Sequence, residues 1–252
     1  MLAVKGLSVT LGGQQIVHPL DFSIQDGDWM MLIGPNGAGK STLLNALAQG
    51  LAYQGSITFD GRDVRHMKAR ERARSMALLS QRHGVGYAFT AEEVIRLGRY
   101  AQTGFLRGES GEDERHVQEA AQLCGLQNIL HQSVLTLSGG ELQRVFLAQV
   151  FAQNPRLLLL DEPANHLDLP FQRQIFELIS GWLRTPGRAV ISVVHDLSLA
   201  RRYGKTALLL NRGHVAAQGA ATDVLGRDAL RVVYGMDVHA WMRELLRGWE
   251  EA

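Results

Sequence analysis

A glycine-rich segment at residues 34–42, with the sequence GPNGAGKST, constrains the fold of this 252-residue chain more than any other feature. It matches the pattern GxxxxGK(S/T), in which a loop between a strand and a helix surrounds a phosphate group. Residues 29–33 before it form an apolar run typical of a buried strand, and residues 43–48 after it have the composition of a helix. The sequence therefore predicts an α/β fold with a phosphate-binding loop.

Several groups in this loop are suited to a nucleotide. Its glycines allow successive backbone N–H groups to face an anion, and the N-terminus of the following helix adds partial positive charge. Lys40 is expected to contact the β- and γ-phosphates, and the Ser41 hydroxyl to ligate Mg²⁺. The alternative is a glycine-rich turn without a ligand, which the flanking strand and helix disfavour. The candidate nucleotide-binding residues of the loop are Gly34, Pro35, Asn36, Gly37, Ala38, Gly39, Lys40, Ser41 and Thr42.

Two carboxylates follow a second apolar run, at residues 157–160. A buried strand of this form presents acids at its carboxyl end, where the aspartate of a phosphate-loop protein holds Mg²⁺. We assign this role to Asp161. Glu162, one residue further on, is placed to act as general base for a water molecule that attacks the γ-phosphate. The alternative, a strand that ends in a solvated acidic turn, is disfavoured because the phosphate loop lies upstream.

The sequence LSGGE at residues 137–141 precedes a helical segment and admits two interpretations. Ser138 and Glu141 have the spacing of a capping box, which needs no ligand. Gly139 and Gly140 weaken a helix start, and they are better explained if a phosphate approaches the bare N–H groups of the helix terminus. Both roles can coexist, so all four residues are candidate nucleotide contacts.

Two polar residues, Gln81 and His195, each follow a predicted strand. Ligands of open α/β sheets bind at this edge, so either side chain could orient the γ-phosphate or the attacking water by hydrogen bonding. His195 is therefore a candidate catalytic residue, and Gln81 a candidate ligand of the nucleotide and of Mg²⁺. An ordinary structural role is the alternative for both.

The composition excludes several classes of function. A formal net charge of +1 gives none of the basic surface expected for nucleic-acid binding. Cys124 is the only cysteine and lies in an apolar stretch, so we expect a buried thiol and neither a disulfide framework nor a cysteine-rich metal site. The longest apolar runs fall far short of the roughly 20 residues that cross a bilayer. Any role at a membrane therefore requires a partner.

The periodicity of the chain changes near residue 82, where strand patterns give way to helical ones. Helices predicted at residues 92–99, 112–123 and 140–153 indicate a helical insertion in an α/β core. Outside it, strands are predicted at residues 3–11, 20–24, 55–59, 75–80, 157–160, 189–194, 205–210 and 214–218, and helices at 69–74 and 171–183. The predicted division is an α/β core at 1–81 and 154–235, a helical part at 82–153 and a C-terminal amphipathic helix at 236–252.

The C-terminal segment places its apolar side chains on one helical face. We expect this face to dock on the rest of the same domain, and a contact with another subunit is the alternative. The residues of the face are Val238, Trp241, Met242, Leu245, Leu246 and Trp249.

These motifs together resemble the ATP-binding subunit of ABC transporters over nearly the whole chain. The residues that carry the resemblance are 34–42, Gln81, 137–141, 158–162, His195 and the sequence NHLD at 165–168. The resemblance implies a single ABC ATPase domain: a P-loop NTPase core with an N-terminal antiparallel β subdomain and an inserted helical subdomain that carries the LSGGE motif. It also implies hydrolysis of ATP with Mg²⁺ as cofactor.

The resemblance further implies a head-to-tail homodimer, in which Ser138 and the Gly139-Gly140 turn of one subunit close on ATP bound at Lys40 of the other. The expected partners are two transmembrane permease subunits, a substrate-binding protein that acts indirectly, and no nucleic acid. The implied location is peripheral, on the cytoplasmic face of the cell membrane.

The same resemblance assigns roles to four further residues. Gln81 would link the nucleotide to the membrane partner, and Asp168 would be the acid of the loop after the catalytic carboxylate. His195 would be the switch histidine, and Glu162 the catalytic base. Members of the family usually stack adenine on an aromatic residue near the N-terminus, whereas Leu11 stands at that place here, so we expect apolar packing against the base.

Within the family, the sequences FTAEEV at 89–94 and LGRY at 97–100 resemble those of subunits that serve iron-siderophore, haem and cobalamin importers. Residues 152–156 leave no room for an insertion that haem-type members often carry, so a siderophore or cobalamin is preferred. Other ABC transporters, such as exporters or metal-ion importers, are an alternative, as are soluble ABC ATPases that act on ribosomes or DNA. The ribosome type usually has two such domains and the DNA type a long coiled coil, neither of which this sequence contains.

Overall fold

The computed structural model describes residues 1–80, 87–102, 110–165 and 167–250. Its fold is built on two β-sheets. The strands, in chain order, are β1 (Leu2–Leu11), β2 (Gln14–Ile24), β3 (Trp29–Ile33), β4 (Gln54–Phe59), β5 (Arg62–Asp63), β6 (Met76–Leu79), β7 (Leu157–Asp161), β8 (Ala189–Val193), β9 (Thr206–Asn211) and β10 (His214–Ala220). The α-helices are α1 (Lys40–Leu47), α2 (Ala69–Ser75), α3 (Ala91–Leu97), α4 (Gly111–Leu123), α5 (Gly139–Ala152), α6 (Leu169–Leu183), α7 (Leu197–Tyr203), α8 (Ala221–Val224), α9 (Arg227–Tyr234) and α10 (Val238–Glu250).

The N-terminal sheet is antiparallel, with the strand order β2-β1-β4-β5. The chain reverses between β1 and β2 at Gly12 and Gly13, whose φ angles of 56° and 80° lie in the left-handed region that glycine tolerates. Alternate residues of β1, such as Leu2 and Val4, are buried on the inner face. The antiparallel N-terminal subdomain expected from the sequence is therefore present.

The second sheet has the order β10-β9-β3-β8-β7-β6 and is parallel from β9 to β6. Every residue of its three central strands, β3, β8 and β7, is buried. Helices cover both faces of this sheet, which explains why these strands are continuous apolar runs without alternation. Their carboxyl ends lie at one edge, and the polar residues after β3, β7 and β8 meet there.

Successive side chains of the central strands point to opposite faces of the sheet and belong to two separate apolar clusters. Met31 and Leu158 belong to the cluster that contains α6 and the α3–α5 segment. Leu32 and Leu159 belong to the other, which contains α1 and the N-terminal sheet. Cys124 is buried in the first cluster, as expected, and burial raises the pKa of its thiol to about 12.

Three contacting helices, α3, α4 and α5, lie between β6 and β7 in the chain and confirm the predicted helices there. Arg99, just after α3, ties the segment together, because its guanidinium donates to the Asp113 carboxylate of α4 at 3.0 Å and to the carbonyl of Ala152 at 2.7 Å. Burial alone would raise the pKa of Asp113, but hydrogen bonds from Ser110 and Arg99 hold it below its usual value. The ion pair is almost fully buried, at 7% and 8% side-chain exposure, so it fixes the relative positions of the helices.

The expected docking of the C-terminal helix on its own domain is confirmed for only part of its apolar face. Val238 is buried and Met242 packs against the first apolar cluster, so the start of α10 does dock on the domain. Exposure then rises along the same face, to 46% at Leu245, 60% at Leu246 and 82% at Trp249. The last turns of the helix therefore present an uncovered apolar face, because the body of the domain ends beneath its first turns. Among the helices in the described ranges, none has the length and hydrophobicity needed to span a bilayer.

Replacement of Gly98 by alanine is expected to destabilise the contact between α3 and α5. A Cβ atom at this position would lie 2.1 Å from the carbonyl oxygen of Gln149, which belongs to the backbone of α5 and cannot move alone. We expect a loss of about 1–3 kcal/mol in the free energy of unfolding, measured by urea denaturation. Gly111→Ala is the matched control, since no atom lies within 4 Å of its Cβ position. Equal stability of the two variants would contradict the prediction.

Candidate functional site

The phosphate loop connects β3 to α1, and its backbone is held by the neighbouring β9–β10 hairpin. A Cβ atom at Gly34 would lie 2.1 Å from the carbonyl oxygen of Leu210, so only glycine fits there. Gly39 precedes α1 with φ 94°, a left-handed conformation that turns the chain into the helix without a side-chain cap. The free N–H groups at the start of α1 are therefore left to a ligand, as the sequence predicts.

Lys40 is folded into the loop and is only 5% exposed. Its Nζ donates to the carbonyl oxygens of Gly34 and Pro35, at 2.8 and 2.9 Å. Burial lowers the pKa of the Lys40 ammonium, and the nearby carboxylates of Glu162 and Asp161 partly offset this shift. These acids and the two carbonyls keep a positive charge beside the loop, where a phosphate would lie.

Ser41 and Asp161 bring two oxygen donors together at the base of the loop. Ser41 Oγ donates to Asp161 Oδ1 at 3.0 Å, across 120 residues of sequence. Asp161 ends β7 and is 4% exposed; burial raises the pKa of its carboxyl, and the Ser41 hydrogen bond opposes that shift. Hard oxygen donors of this kind suit Mg²⁺, which takes few protein ligands and completes its shell with water and phosphate oxygens. Consistently, the described residues contain no group of three or more histidine, cysteine or acidic side chains that could hold a metal alone.

Glu162 lies at the mouth of the loop in a strained backbone conformation, with φ 54°. His195 Nε2, at the end of β8, lies 2.6 Å from Glu162 Oε1, and the Asn165 side-chain amide donates to the other carboxylate oxygen. The carboxylate is 9% exposed and is therefore oriented from both sides. A base held in this way can accept a proton from a water molecule in the adjacent cavity.

A cavity of about 750 Å³ joins these groups. Its lining consists of Ile16, residues 36–42 of the loop, Glu162, Asn165 and His195. The structure thus brings Lys40, Ser41, Glu162 and His195 into one site, with Asp161 bonded to Ser41 directly beneath it. Gly34 and Pro35 contribute instead through the carbonyls that hold Lys40. The volume is sufficient for a nucleotide triphosphate group beside the loop.

The LSGGE segment lies outside this cavity. Ser138 caps α5 in a capping box with Glu141, whose N–H donates to Ser138 Oγ at 3.3 Å and whose Oε2 accepts the Ser138 N–H at 2.9 Å. The Ser138 hydroxyl also donates to Glu141 Oε2 at 2.7 Å, and this bond, together with the one from the Ser138 N–H, lowers the pKa of the Glu141 carboxyl. A Cβ atom at Gly140 would press on the Phe171 ring at 3.1 Å, whereas no atom lies within 4 Å of that position at Gly139. Contacts within the chain thus explain the glycine at 140 but not at 139.

One further predicted residue, Asp168, is not brought to the cavity. Asp168 is exposed at the N-terminal cap of α6, where its side chain makes no capping hydrogen bond. Gln81 and His166 lie outside the described residues, so the expected roles of Gln81 in nucleotide and Mg²⁺ binding stay predictions. Leu11, at the place where the family stacks adenine, is 41% exposed at the end of β1.

Three residues that touch the site were not singled out from the sequence. Asn165 orients Glu162, Ile16 lines the cavity, and Gln143 of α5 donates to the carbonyl of Pro163 at 2.7 Å, just beyond Glu162. The only signal for Asn165 was its place three residues after the carboxylate in the NHLD sequence. The other two contacts join segments far apart in the chain, for which the sequence contained no signal.

Comparison with known proteins gives an independent view of this site. The profile of a family described as ABC transporter matches residues 17–165, which contain the loop, the LSGGE segment and both carboxylates. The hemin import ATP-binding protein HmuV of Rhodococcus jostii is 39% identical over 240 residues, 94% of this chain and 80% of that protein. The ferric enterobactin transport ATP-binding protein FepC of Escherichia coli is 36% identical over 236 residues, 92% of this chain and 87% of that protein.

A third relative differs in length. The uncharacterized ABC transporter ATP-binding protein YvrA of Bacillus subtilis is 35% identical over 245 residues, and the chain, though 96% covered, spans only 55% of that protein. Among solved structures, an ATP-binding subunit of an ABC transporter superposes with a TM-score of 0.76 at 26% identity, over 94% of this chain and 95% of that one. The ATP-binding cassette MJ0796, solved as a dimer with ADP and Pi, gives a TM-score of 0.77 at 24% identity, over 88% and 99%. This last likeness concerns the fold alone.

Proposed function

The chain belongs to the ABC transporter family and is an ATPase of that family; from this premise we propose that it powers import of a metal-chelate compound through a separate transmembrane permease. The observation that carries the proposal is the near full-length similarity to the hemin and ferric enterobactin import subunits. The absence of an insertion before β7 in the sequence favours a siderophore or cobalamin over haem. The transported compound itself contacts the binding protein and permease rather than this subunit.

In the proposed reaction, residues from three strand ends act on Mg-ATP. The loop N–H groups and Lys40 bind the phosphates, and Ser41 and Asp161 hold Mg²⁺, which neutralises charge on the phosphates when bound. Glu162 takes a proton from the attacking water, while His195 and Asn165 keep its carboxylate facing the cavity. Gln81 is assigned to the same nucleotide and metal shell from the sequence.

We propose that two copies assemble head to tail, with the LSGGE segment of each on the nucleotide of the other. Ser138 and Gly139 are exposed and do not line the cavity of their own chain, and no atom lies within 4 Å of the Cβ position of Gly139. Glu141 holds the Ser138 cap, so its contribution is to position that serine. Asp168, exposed at the start of α6, is available to the same interface. Closure on ATP then completes the contacts that a single chain lacks.

We treat the helical part, residues 82–153, as distinct from the core at 1–81 and 154–235. Exposed apolar residues near α3 support a docking site for the permease on this helical part. Tyr87, Leu97 and Tyr100 are 75%, 54% and 79% exposed, close together in the chain. Exposed large apolar side chains that group on a surface are typical of protein contacts, and we propose that these three do so. The subunit would then be peripheral on the cytoplasmic face of the membrane.

The proposal is tested by purifying the tagged chain from gently solubilised membranes of its host. We expect a polytopic permease to copurify with wild type, and to be lost when Leu97 and Tyr100 are both changed to glutamate, because charge is introduced into the exposed patch. Leu123→Glu, an exposed leucine on α4, is the control and should keep the permease. Copurification with ribosomes or DNA, or with no membrane protein, would overturn the transport assignment and leave the ATPase chemistry intact.

A further inference from the structure

A groove of about 780 Å³ lies between α7, the end of α8, α9 and α10, and none of the proposed nucleotide contacts that the structure describes lines it. Its floor is apolar and is formed by Leu225, Leu230, Val238 and Met242, of which the first three are buried. The volume falls in the range of small-molecule binding sites, which combine an apolar lining with a few polar groups. The groove is therefore of the size and lining that suit a ligand with an apolar body.

Arginines stand on its rim. Arg201 and Arg202 of α7, Arg227 of α9 and Arg243 of α10 all line the groove. Arg227 forms an ion pair with the carboxylate of Asp237. The other three are engaged in no ion pair with a carboxylate of the described residues, and all three are exposed. The groove thus combines an apolar floor with four arginines and one nearby carboxylate, Asp237, which pairs with Arg227 and also interacts electrostatically with Arg243. Arg201 and Arg202 supply positive charge that no carboxylate of the described residues pairs with.

We infer that the groove binds one molecule of a single-chain anionic amphiphile, a carboxylate or phosphate head group on an alkyl chain. Guanidinium groups pair with both head groups through two parallel hydrogen bonds, and the floor would cover the chain. A concave site between helices encloses a single chain, whereas a bilayer surface meets protruding residues. The charge on Arg201, Arg202 and Arg243 selects against neutral and cationic ligands of the same length.

The short helix α7 connects this groove to the catalytic residues. Leu197 and Ser198 line the groove, whereas Leu199 lines a separate cavity of about 230 Å³ that also contains Glu162 and His195. The carboxylate of Asp196, next to His195, caps α7 by accepting the N–H groups of Ser198 and Leu199 at 2.7 and 3.1 Å. An occupant that binds the arginines of α7 therefore acts on the helix that begins two residues after His195. We infer that it alters the rate of ATP hydrolysis, a step that rests on the proposed roles of Glu162 and His195; binding itself does not.

Binding is measured by titration calorimetry on the purified full chain, with dodecanoate kept below its micellar concentration. We expect saturable binding, and binding weaker by about tenfold or more for the cation dodecyltrimethylammonium. The double variant Arg201→Gln, Arg202→Gln should lose about tenfold in affinity, because both head-group partners on α7 are removed. The double variant Arg231→Gln, Arg247→Gln is the control; it removes the same charge from exposed positions on α9 and α10 outside the groove and should bind as wild type does.

Absence of saturable dodecanoate binding, or an equal loss in both double variants, would overturn the assignment of the groove. So would cosedimentation with phosphatidylglycerol vesicles in the absence of dodecanoate binding, since the surface would then contact a membrane. ATP hydrolysis is followed in parallel. A change in rate on dodecanoate addition to wild type, absent in the Arg201 and Arg202 double variant, supports the coupling, and binding without any change in rate rejects it. If no ATP is hydrolysed at all, the proposed function fails while the binding result still decides the groove.

Discussion

Replacement of Glu162 by glutamine is expected to lower the rate of ATP hydrolysis by about a hundredfold or more, with little change in ATP affinity. A positioned general base typically contributes about 10²–10⁴-fold to a rate, and the amide cannot accept the proton. Glutamine has the same size and can keep a hydrogen bond from Asn165, so the cavity should remain intact. Phosphate release by the purified protein gives the rate, and titration calorimetry gives the affinity.

Glu177→Gln is the matched control for this experiment. Glu177 lies on α6, is half exposed, pairs with Arg173 on the same helix and does not line the nucleotide cavity. Its replacement should change neither rate nor affinity, because an exposed ion pair contributes little. Near-normal hydrolysis by the Glu162 variant would remove this residue from the role of base, and the proton would then have to pass to another acceptor.

Replacement of Lys40 by alanine is expected to act on binding rather than on chemistry alone. The ammonium group is the cation that the fold places within the phosphate loop, and hydrogen bonds to charged groups contribute about 1.5–3 kcal/mol each. ATP affinity should therefore fall by roughly 10- to 150-fold for a single lost contact. Fluorescent nucleotide titration measures the ATP affinity directly. The Glu162→Gln variant, which is expected to bind ATP normally, gives the contrasting result.

The same replacement removes the bonds from Nζ to the carbonyls of Gly34 and Pro35, so the stability of the variant is measured as well. Thermal unfolding without nucleotide separates a loop that has lost its shape from one that has lost only its cation. Lys68→Ala, at the exposed start of α2, serves as control and should behave as wild type. Unchanged ATP affinity in a folded Lys40 variant would contradict the assignment.

Local sequence patterns predicted the parts of the site that lie on one segment. The loop at 34–42, the carboxylates after β7 and the cap at Ser138 follow from glycine spacing, apolar runs and capping chemistry, which act over a few residues. The bond from Ser41 to Asp161 could be anticipated only in kind, because both residue types suit Mg²⁺. Each helix predicted in the α3–α5 segment was found within about two residues of its expected ends, as is usual for such boundaries.

Contacts between segments could not be predicted. His195 meets Glu162 because β8 is the neighbour of β7, and nothing in the sequence states that order of strands. The helix α7 was missed since it is short and is set by the cap at Asp196 rather than by a long periodic pattern. For α10, amphipathicity identified the apolar face correctly but carried no information on how far the body of the domain extends beneath it. The expected docking on the domain is therefore confirmed for Val238 and Met242 and not for the last turns.

The left-handed backbone at Glu162 lowers the stability of the fold at a residue whose side chain is proposed to act in hydrolysis. A non-glycine residue in that conformation is destabilised by about 1–2 kcal/mol relative to a relaxed backbone. Here the strained residue is the proposed base, one residue after Asp161, the proposed metal ligand. Glycine or asparagine at position 162 would relieve this strain and would abolish the base at once. In a duplicated gene copy freed from the demand for hydrolysis, such changes would be retained for the sake of folding alone. Paralogues that carry such a change should therefore have a larger free energy of unfolding than the active enzyme. Their loss of hydrolysis would be a side effect of the relieved backbone strain.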